Sequence, residues 1–451
     1  MVVALIIYVL LFLGIGLYNY FQANSYDDYV VAGRKQSQPI ILMSLLSTII
    51  GGSATFGTAD MVYNMGFPAF WWLGVGGIGL ILQSIFLSKK IRDFDAYTLP
   101  DIANKIVGEG GKLIIAFIIV TSWTGIIASQ FTALSQIFSV ITGSSNTLAL
   151  LIIVSITVII YTAIGGQLSV IKTDAIQFVI LAIGIVCTFY YLFFSGAQMN
   201  VASVFSNIEL FNDKFNWLNL INLLFIVGGT YFIGPDMFSR NLAAKDGKVA
   251  KKAAFNAGIL LFFFSFLITS IGLWAKLNIT DLGNENPLVY MISNHLPTSI
   301  GIALAIGLVS ALISSADTCL ITTATIIEND ILKRNKVSDT RIFVLAIGLI
   351  SLLIAVLKQD IISLLLGAYS VYAPGIVCPL LIAIWFYKKK EINKILWFLA
   401  IIVGGSSGIL DNFLKIKYLP LIGMGCSLIL SVLSVFLSNE YEQSSDKNLS
   451  I

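Results

Sequence analysis

Charge is scarce in this chain. Asp, Glu, Lys and Arg make up 11% of its 451 residues, against about 25% in soluble domains. There is one histidine, His295, and a lone imidazole leaves little for transition-metal or triad chemistry. The four cysteines, Cys187, Cys319, Cys378 and Cys426, are scattered through apolar segments. Their spacing makes neither a metal site nor a disulfide framework. No basic patch offers itself to nucleic acid. These absences argue against an enzyme and leave no residue set for a cofactor.

What is abundant is apolar: 57% of the residues are hydrophobic and the mean hydropathy is +0.91. Stretches of about 20 apolar residues, each long enough to cross a bilayer, recur from end to end. They predict thirteen crossings near 2–20, 39–65, 68–88, 112–141, 147–164, 169–195, 217–239, 254–276, 298–327, 341–357, 361–387, 394–412 and 419–437. The expected class is an all-α integral membrane protein whose partners are the lipid bilayer and a small solute.

Orientation follows from the basic residues. Of 27 Lys and Arg, only Lys214, Lys276, Lys358, Lys415 and Lys417 fall on the side that holds residue 1. The positive-inside rule then predicts an outer N-terminus and a cytoplasmic C-terminus in a bacterial-type plasma membrane. Met1 to Leu13 carries no charged side chain, so this segment reads as an uncleaved helix rather than a signal peptide.

Two segments are interrupted by glycine in matching ways. One reads Ile50-Gly51-Gly52-Ser53-Ala54-Thr55-Phe56-Gly57-Thr58-Ala59-Asp60, the other Val227-Gly228-Gly229-Thr230-Tyr231-Phe232-Ile233-Gly234-Pro235-Asp236. Interrupted helices at corresponding places in two halves point to a transport site; close packing through small residues is the competing reading. Crossings two to six start in the cytoplasm and seven to eleven outside, so they form inverted sets of five. The expected division is a leading helix and loop (1–37), a first repeat (38–200), an inverted second repeat (201–390), two appended helices (391–437) and a short cytoplasmic tail (438–451).

Carboxylates at membrane depth are costly and default to function. Asp60, Asp174, Asp236 and Asp317 qualify. Asp174 sits near a helix end, where a salt bridge to Lys172 or another basic loop residue is the structural alternative. Positions 311, 314, 315 and 318 share one helical face, which brings a carbonyl and three hydroxyls together beside Asp317. Hard cations take such oxygen ligands.

Here the chain resembles the sodium/solute symporter family, which includes sodium-coupled proline, sugar, sialic acid and choline carriers. The matches run from Asp27-Asp28-Tyr29-Val30-Val31-Ala32-Gly33-Arg34 through the first broken helix, Thr173-Asp174 and Arg240 to Ser314-Ser315. The resemblance implies a ten-helix core of the leucine-transporter fold. It also implies a sodium site made by Ser47, Ile50, Ala311, Ser314 and Ser315. Some members hold a further sodium, and the matching positions are Asp174, Asp317 and Thr318; a second cation site or a shared proton is expected there. The implied substrate pocket comprises Gly52, Ser53, Ala54, Thr55, Trp71, Gln83, Gln130, Tyr231, Phe232 and Asp236. No Lys or Arg is expected in that region, which disfavours a large acidic substrate. Asp236 near Tyr231 and Phe232 suits an amine, so the expected function is sodium-coupled import of an amino acid or amine-bearing solute. A proton-coupled carrier, a solute sensor and a channel are the alternatives.

Overall fold

Apolar stretches fold as helices because a bilayer offers backbone amides no other partner. The computed structural model describes residues 25–195 and 201–438 except 280, 284, 359 and 417, together with positions 3, 8, 11, 14 and 15. In chain order the membrane-length elements are α1 (Gln38–Ile49), α2 (Ser53–Met65), α3 (Phe67–Phe86), α4 (Glu109–Thr142), α5 (Thr147–Phe194), α6 (Trp217–Ala243), α7 (Gly247–Asn278), α8 (Thr298–Leu332), α9 (Val337–Leu357), α10 (Ile361–Phe386), α11 (Lys394–Leu414) and α12 (Leu419–Phe436). Among the described residues ten helices are long and apolar enough to cross a membrane, or eleven if α1 and α2 form one span. The expected count of thirteen is not reproduced as such. Apart from positions 3, 8, 11, 14 and 15, the predicted crossing at 2–20 lies outside the described residues, as does all of the tail except Ser438. The crossings predicted at 147–164 and 169–195 share the 48-residue α5, which turns at Gly166 (φ 64°, ψ −176°). Any Cβ at Gly166 would meet the Tyr29 ring at 2.5 Å.

α1 and α2 meet at a 58° bend. Ile50 leaves the helical region there (φ −81°, ψ 51°), which swings its carbonyl out of the helical ladder. In α6 the break falls at Ile233 (φ −133°, ψ 68°) and Gly234 (φ −108°, ψ 138°), after which Pro235 starts a new helix to Ala243. Both broken segments also wind as π-turns, over Ser53–Gly57 and Leu224–Gly228, a feature common at functional sites.

The second glycine pair does not make its break. Gly228 and Gly229 are helical (φ −60° and −59°). Gly228 instead lets α6 press against α3: its Cβ would stand 2.9 Å from the Val75 carbonyl oxygen, and one on Gly79 would stand 2.4 Å from that of Gly228. Packing through small residues is therefore the role of this pair. Gly79→Ala is expected to overpack the crossing and cost about 1–3 kcal/mol; an unchanged melting temperature would show that α3 and α6 can separate freely.

Candidate functional site

The two breaks leave backbone groups that need partners, and polar side chains of other helices supply them. At the first, the Gly52 N–H donates to Gln130 Oε1 (3.0 Å) and Ser315 Oγ donates to the Thr48 carbonyl (2.7 Å). Thr55 returns its hydroxyl to the Gly51 carbonyl (2.9 Å). At the second, Gln83 Nε2 donates to the carbonyls of Tyr231 (3.3 Å) and Phe232 (3.1 Å), and Tyr372 donates its hydroxyl to Ile233. The broken strands of chain are thus held by α3, α4, α8 and α10.

Between the breaks lies a cavity of about 30 Å³, which Ser53, Gln130, Tyr231, Asp236 and Ser315 help to line. Ligand pockets usually span about 300–1,000 Å³, so a solute enters only when the helices part. Gln83, Gly52 and Phe232 bound the site through the hydrogen bonds above. Ala54 and Thr55 are buried one turn away. Trp71 is not in this cavity: its Nε1 donates to the Leu210 carbonyl (3.1 Å), and its ring lies 6.2 Å from that of Phe211. Tyr369, Cys319, Leu365 and Ile126 also line the space. Tyr369 follows a single glycine, Gly367, with neither a glycine pair nor a carboxylate near it to single it out. Asp60 stands apart from the cavity lining and accepts from Asn286 Nδ2 (2.8 Å).

Beside the cavity is a cluster of buried polar groups. Ser44 Oγ and Ser314 Oγ each donate to Asp174, at 2.5 Å. Arg240 NH2 reaches the same carboxylate at 2.8 Å, with both side chains fully buried. The guanidinium also donates to Ser44 Oγ (3.0 Å), Thr48 Oγ1 (2.8 Å), Ser239 Oγ (3.1 Å) and Thr318 Oγ1. A planar fork suits such a ring of oxygens.

Two expectations need correction here. A basic side chain does enter the region, because Arg240 folds back from the second half of α6. The structural alternative for Asp174, a salt bridge, is present, but with Arg240, 66 positions on and fully buried with it, rather than with Lys172 or another basic loop residue near the interface.

Ala311, Ser314, Ser315 and Thr318 share one buried face of α8, and Asp317 is buried as well. Asp317 lies within electrostatic range of Asp174 and Arg240, and among the described residues neither of its oxygens meets a donor in good hydrogen-bonding geometry, the N–H and hydroxyl of the adjacent Thr318 being close but outside it. The Ser47 hydroxyl is likewise buried without a partner among the described residues. Asp174 and Asp317 carry two negative charges against one guanidinium, so with both ionised the cluster has a net charge of −1. One monovalent cation or one proton neutralises it.

Comparisons with known proteins agree with this layout. The profile of the sodium:solute symporter family matches residues 29–404. The osmoregulated proline transporter of Bacillus subtilis (strain 168) is 24% identical over 90% of this chain and 87% of its own length. The sodium/glucose cotransporter of Vibrio parahaemolyticus is 24% identical over 85% and 80%. The high-affinity choline transporter 1 of Caenorhabditis elegans is 25% identical over 81% and 68%. Among solved structures, the substrate-bound outward-open state of a Na+-coupled sialic acid symporter superposes with a TM-score of 0.79 at 17% identity, covering 98% of each chain. MhsT in complex with L-phenylalanine superposes at 0.61 and 14% identity, over 89% of this chain and 99% of its own. The structural likenesses carry the fold alone, that of leucine-transporter-type carriers. With the family profile covering most of its length, the chain belongs to the sodium:solute symporter family.

Proposed function

We propose that the protein imports a small amine-bearing or zwitterionic solute, an amino acid being the favoured class, together with sodium by alternating access. The observation that carries this reading is the meeting of both helix breaks and the hydroxyl face of α8 around one closed polar cavity. Sodium entering from the N-terminal side of the membrane would take the carbonyls of Ser47, Ile50 and Ala311 and the hydroxyls of Ser314 and Ser315. Each hydroxyl already donates its proton, Ser314 to Asp174 and Ser315 to the carbonyls of Thr48 and Ala311, which leaves oxygen lone pairs for a cation. Binding there ties α1 to α8. Rocking of one five-helix set against the other would then expose ion and solute to the cytoplasm.

An amine is favoured because Asp236 is the cavity's carboxylate and the rings of Tyr231 and Tyr369 stand with it. A cation is attracted both to a carboxylate and to the faces of such rings. The relatives named for proline and choline transport lend support to a nitrogen-bearing solute, whereas the relative named for glucose does not. A second reading, proton coupling in the same fold, draws on the carboxyl of Asp317, which is buried and meets no donor in good geometry among the described residues.

The experiment is thermal denaturation of purified protein in NaCl and KCl at matched ionic strength. Sodium at a hundredfold its Kd is expected to stabilise by about 2.7 kcal/mol, and Ser315→Ala should largely abolish that gain. Equal melting curves in the two salts would reject the sodium site and leave proton coupling, read as uptake driven by a pH gradient in sodium-free buffer.

A further inference from the structure

A second cavity, of about 520 Å³, opens at the far end of α3 and α10, on the membrane face that carries most of the basic loops. Lys90, Lys105, Lys388 and Lys389 line it against one carboxylate, Asp93. Two of these ammonium groups share one indole: Lys90 Nζ lies 3.9 Å and Lys389 Nζ 5.6 Å from the Trp385 ring centroid. Lys388 Nζ lies 5.5 Å from the ring of Tyr387, which itself sits 4.9 Å from Phe94. Lys105 is occupied with the carbonyls of Phe94 (2.8 Å) and Asp95 (3.3 Å). Among the described residues none of the four lysines makes an ion pair, although nearby Arg92 finds Asp95 at 3.7 Å. Partial burial first, and then the charge of Lys389, push the Lys90 ammonium below the ordinary lysine range. Lys388 also holds a left-handed backbone (φ 61°), a conformation unfavourable for a residue with a side chain.

Concentrated positive charge over an aromatic floor wants an anion. We propose that this cavity binds the phosphodiester headgroup of an anionic phospholipid from the adjoining leaflet. The source is lipid rather than soluble phosphate because the rim is apolar and exposed. Phe86 and Trp385 are 42% and 38% exposed at the ends of their helices, with ring centroids 5.9 Å apart. Aromatic rings at that level occupy the membrane interface. Lysine stems lie along apolar surface while their heads reach outward, and basic pockets between membrane helices take anionic headgroups. A bound headgroup would join the end of α3 to the end of α10, whose Tyr372 holds the Ile233 carbonyl.

Native mass spectrometry of the full chain in detergent tests this, with dioleoylphosphatidylglycerol, dioleoylphosphatidylcholine and inorganic phosphate as probes. Phosphatidylglycerol should be retained in preference to phosphatidylcholine. Each of Lys90→Gln, Lys388→Gln and Lys389→Gln should weaken retention by about fivefold, the equivalent of ~1 kcal/mol per lysine. Lys388→Arg and Lys389→Arg, which keep the charge, should retain it. Equal retention of the two lipids, or undiminished retention in the glutamine variants, overturns the proposal. Displacement of the lipid by inorganic phosphate at equal concentration overturns its lipid source. If Lys90→Gln or Lys388→Gln does not fold, Lys389→Gln at an exposed position decides the same question against Lys389→Arg.

Discussion

Arg240→Gln is expected to cost about 3–5 kcal/mol, the penalty for leaving a buried partner charge unpaired, and to abolish solute uptake. Arg240 donates to Asp174, Ser44, Thr48 and Thr318, side chains that belong to α1, α5 and α8. Removal strands Asp174 with the two serine hydroxyls as its partners. A glutamine lacks the charge and the reach to cover those acceptors together. The measurement is the melting temperature of the purified variant alongside sodium-dependent uptake in proteoliposomes. The double variant Asp174→Asn with Arg240→Gln separates pairing from packing: it should recover much of the stability lost by Arg240→Gln alone, because no unpaired Asp174 charge remains. If both variants melt alike, the pair contributes no coupling and the guanidinium acts only through its volume.

Much of this site is legible in the chain because membrane chemistry is sparse. A carboxylate at membrane depth stands out, as Asp174, Asp236 and Asp317 do, and a helical face of Ala311, Ser314, Ser315 and Thr318 can be read from spacing alone. The first broken helix is likewise plain from Gly51-Gly52: Cβ atoms there would strike Ser315 Oγ at 2.2 Å and Leu312 Cδ2 at 2.7 Å. The second is also visible, and its break falls inside the segment read from the sequence, though not at the glycine pair. Gly228-Gly229 imitates the first pair in sequence while serving helix packing, and the break is made further on by Ile233 and Gly234. Pairings across the fold are not local, so nothing near Asp174 announces Arg240. Tyr372 is invisible for the same reason, since it answers a carbonyl freed 139 positions away; Gln83 is legible as a pocket residue, but its role of holding the freed carbonyls of Tyr231 and Phe232 is not. Trp71 fails for the opposite reason. An aromatic at a plausible helical position is as well used in packing against Phe70 and Phe211.

Asp317→Asn is expected to lower the number of cations moved per solute by one. Asp174, Asp317 and Arg240 together carry −1 when both acids are ionised, and a buried charge of that kind is expensive without a partner. Asp174 is already satisfied by Arg240 and two hydroxyls. Asp317 is buried beside it, and among the described residues neither oxygen has a donor in good hydrogen-bonding geometry, with Thr318 as its adjacent polar neighbour. Its neighbourhood includes Tyr161, whose hydroxyl donates to Thr173 (3.0 Å), so the tyrosine proton is directed elsewhere. A cation or a proton is therefore the natural partner of Asp317, and its delivery is tied to each cycle of opening. Neutralising the residue removes that requirement. Each charge moved inward contributes about 2.3 kcal/mol per 100 mV, so the ceiling on solute accumulation should fall by about fiftyfold per 100 mV when one is lost. Paired sodium and solute fluxes in proteoliposomes at fixed membrane potential read the ratio directly. The same fluxes repeated across pH tell sodium from proton: a ratio that falls with sodium flux identifies a cation site, whereas loss of the pH response with an unchanged sodium ratio identifies a proton site. Unchanged stoichiometry together with an unchanged pH profile would mean that Asp317 is neutral throughout the cycle and takes no part in coupling.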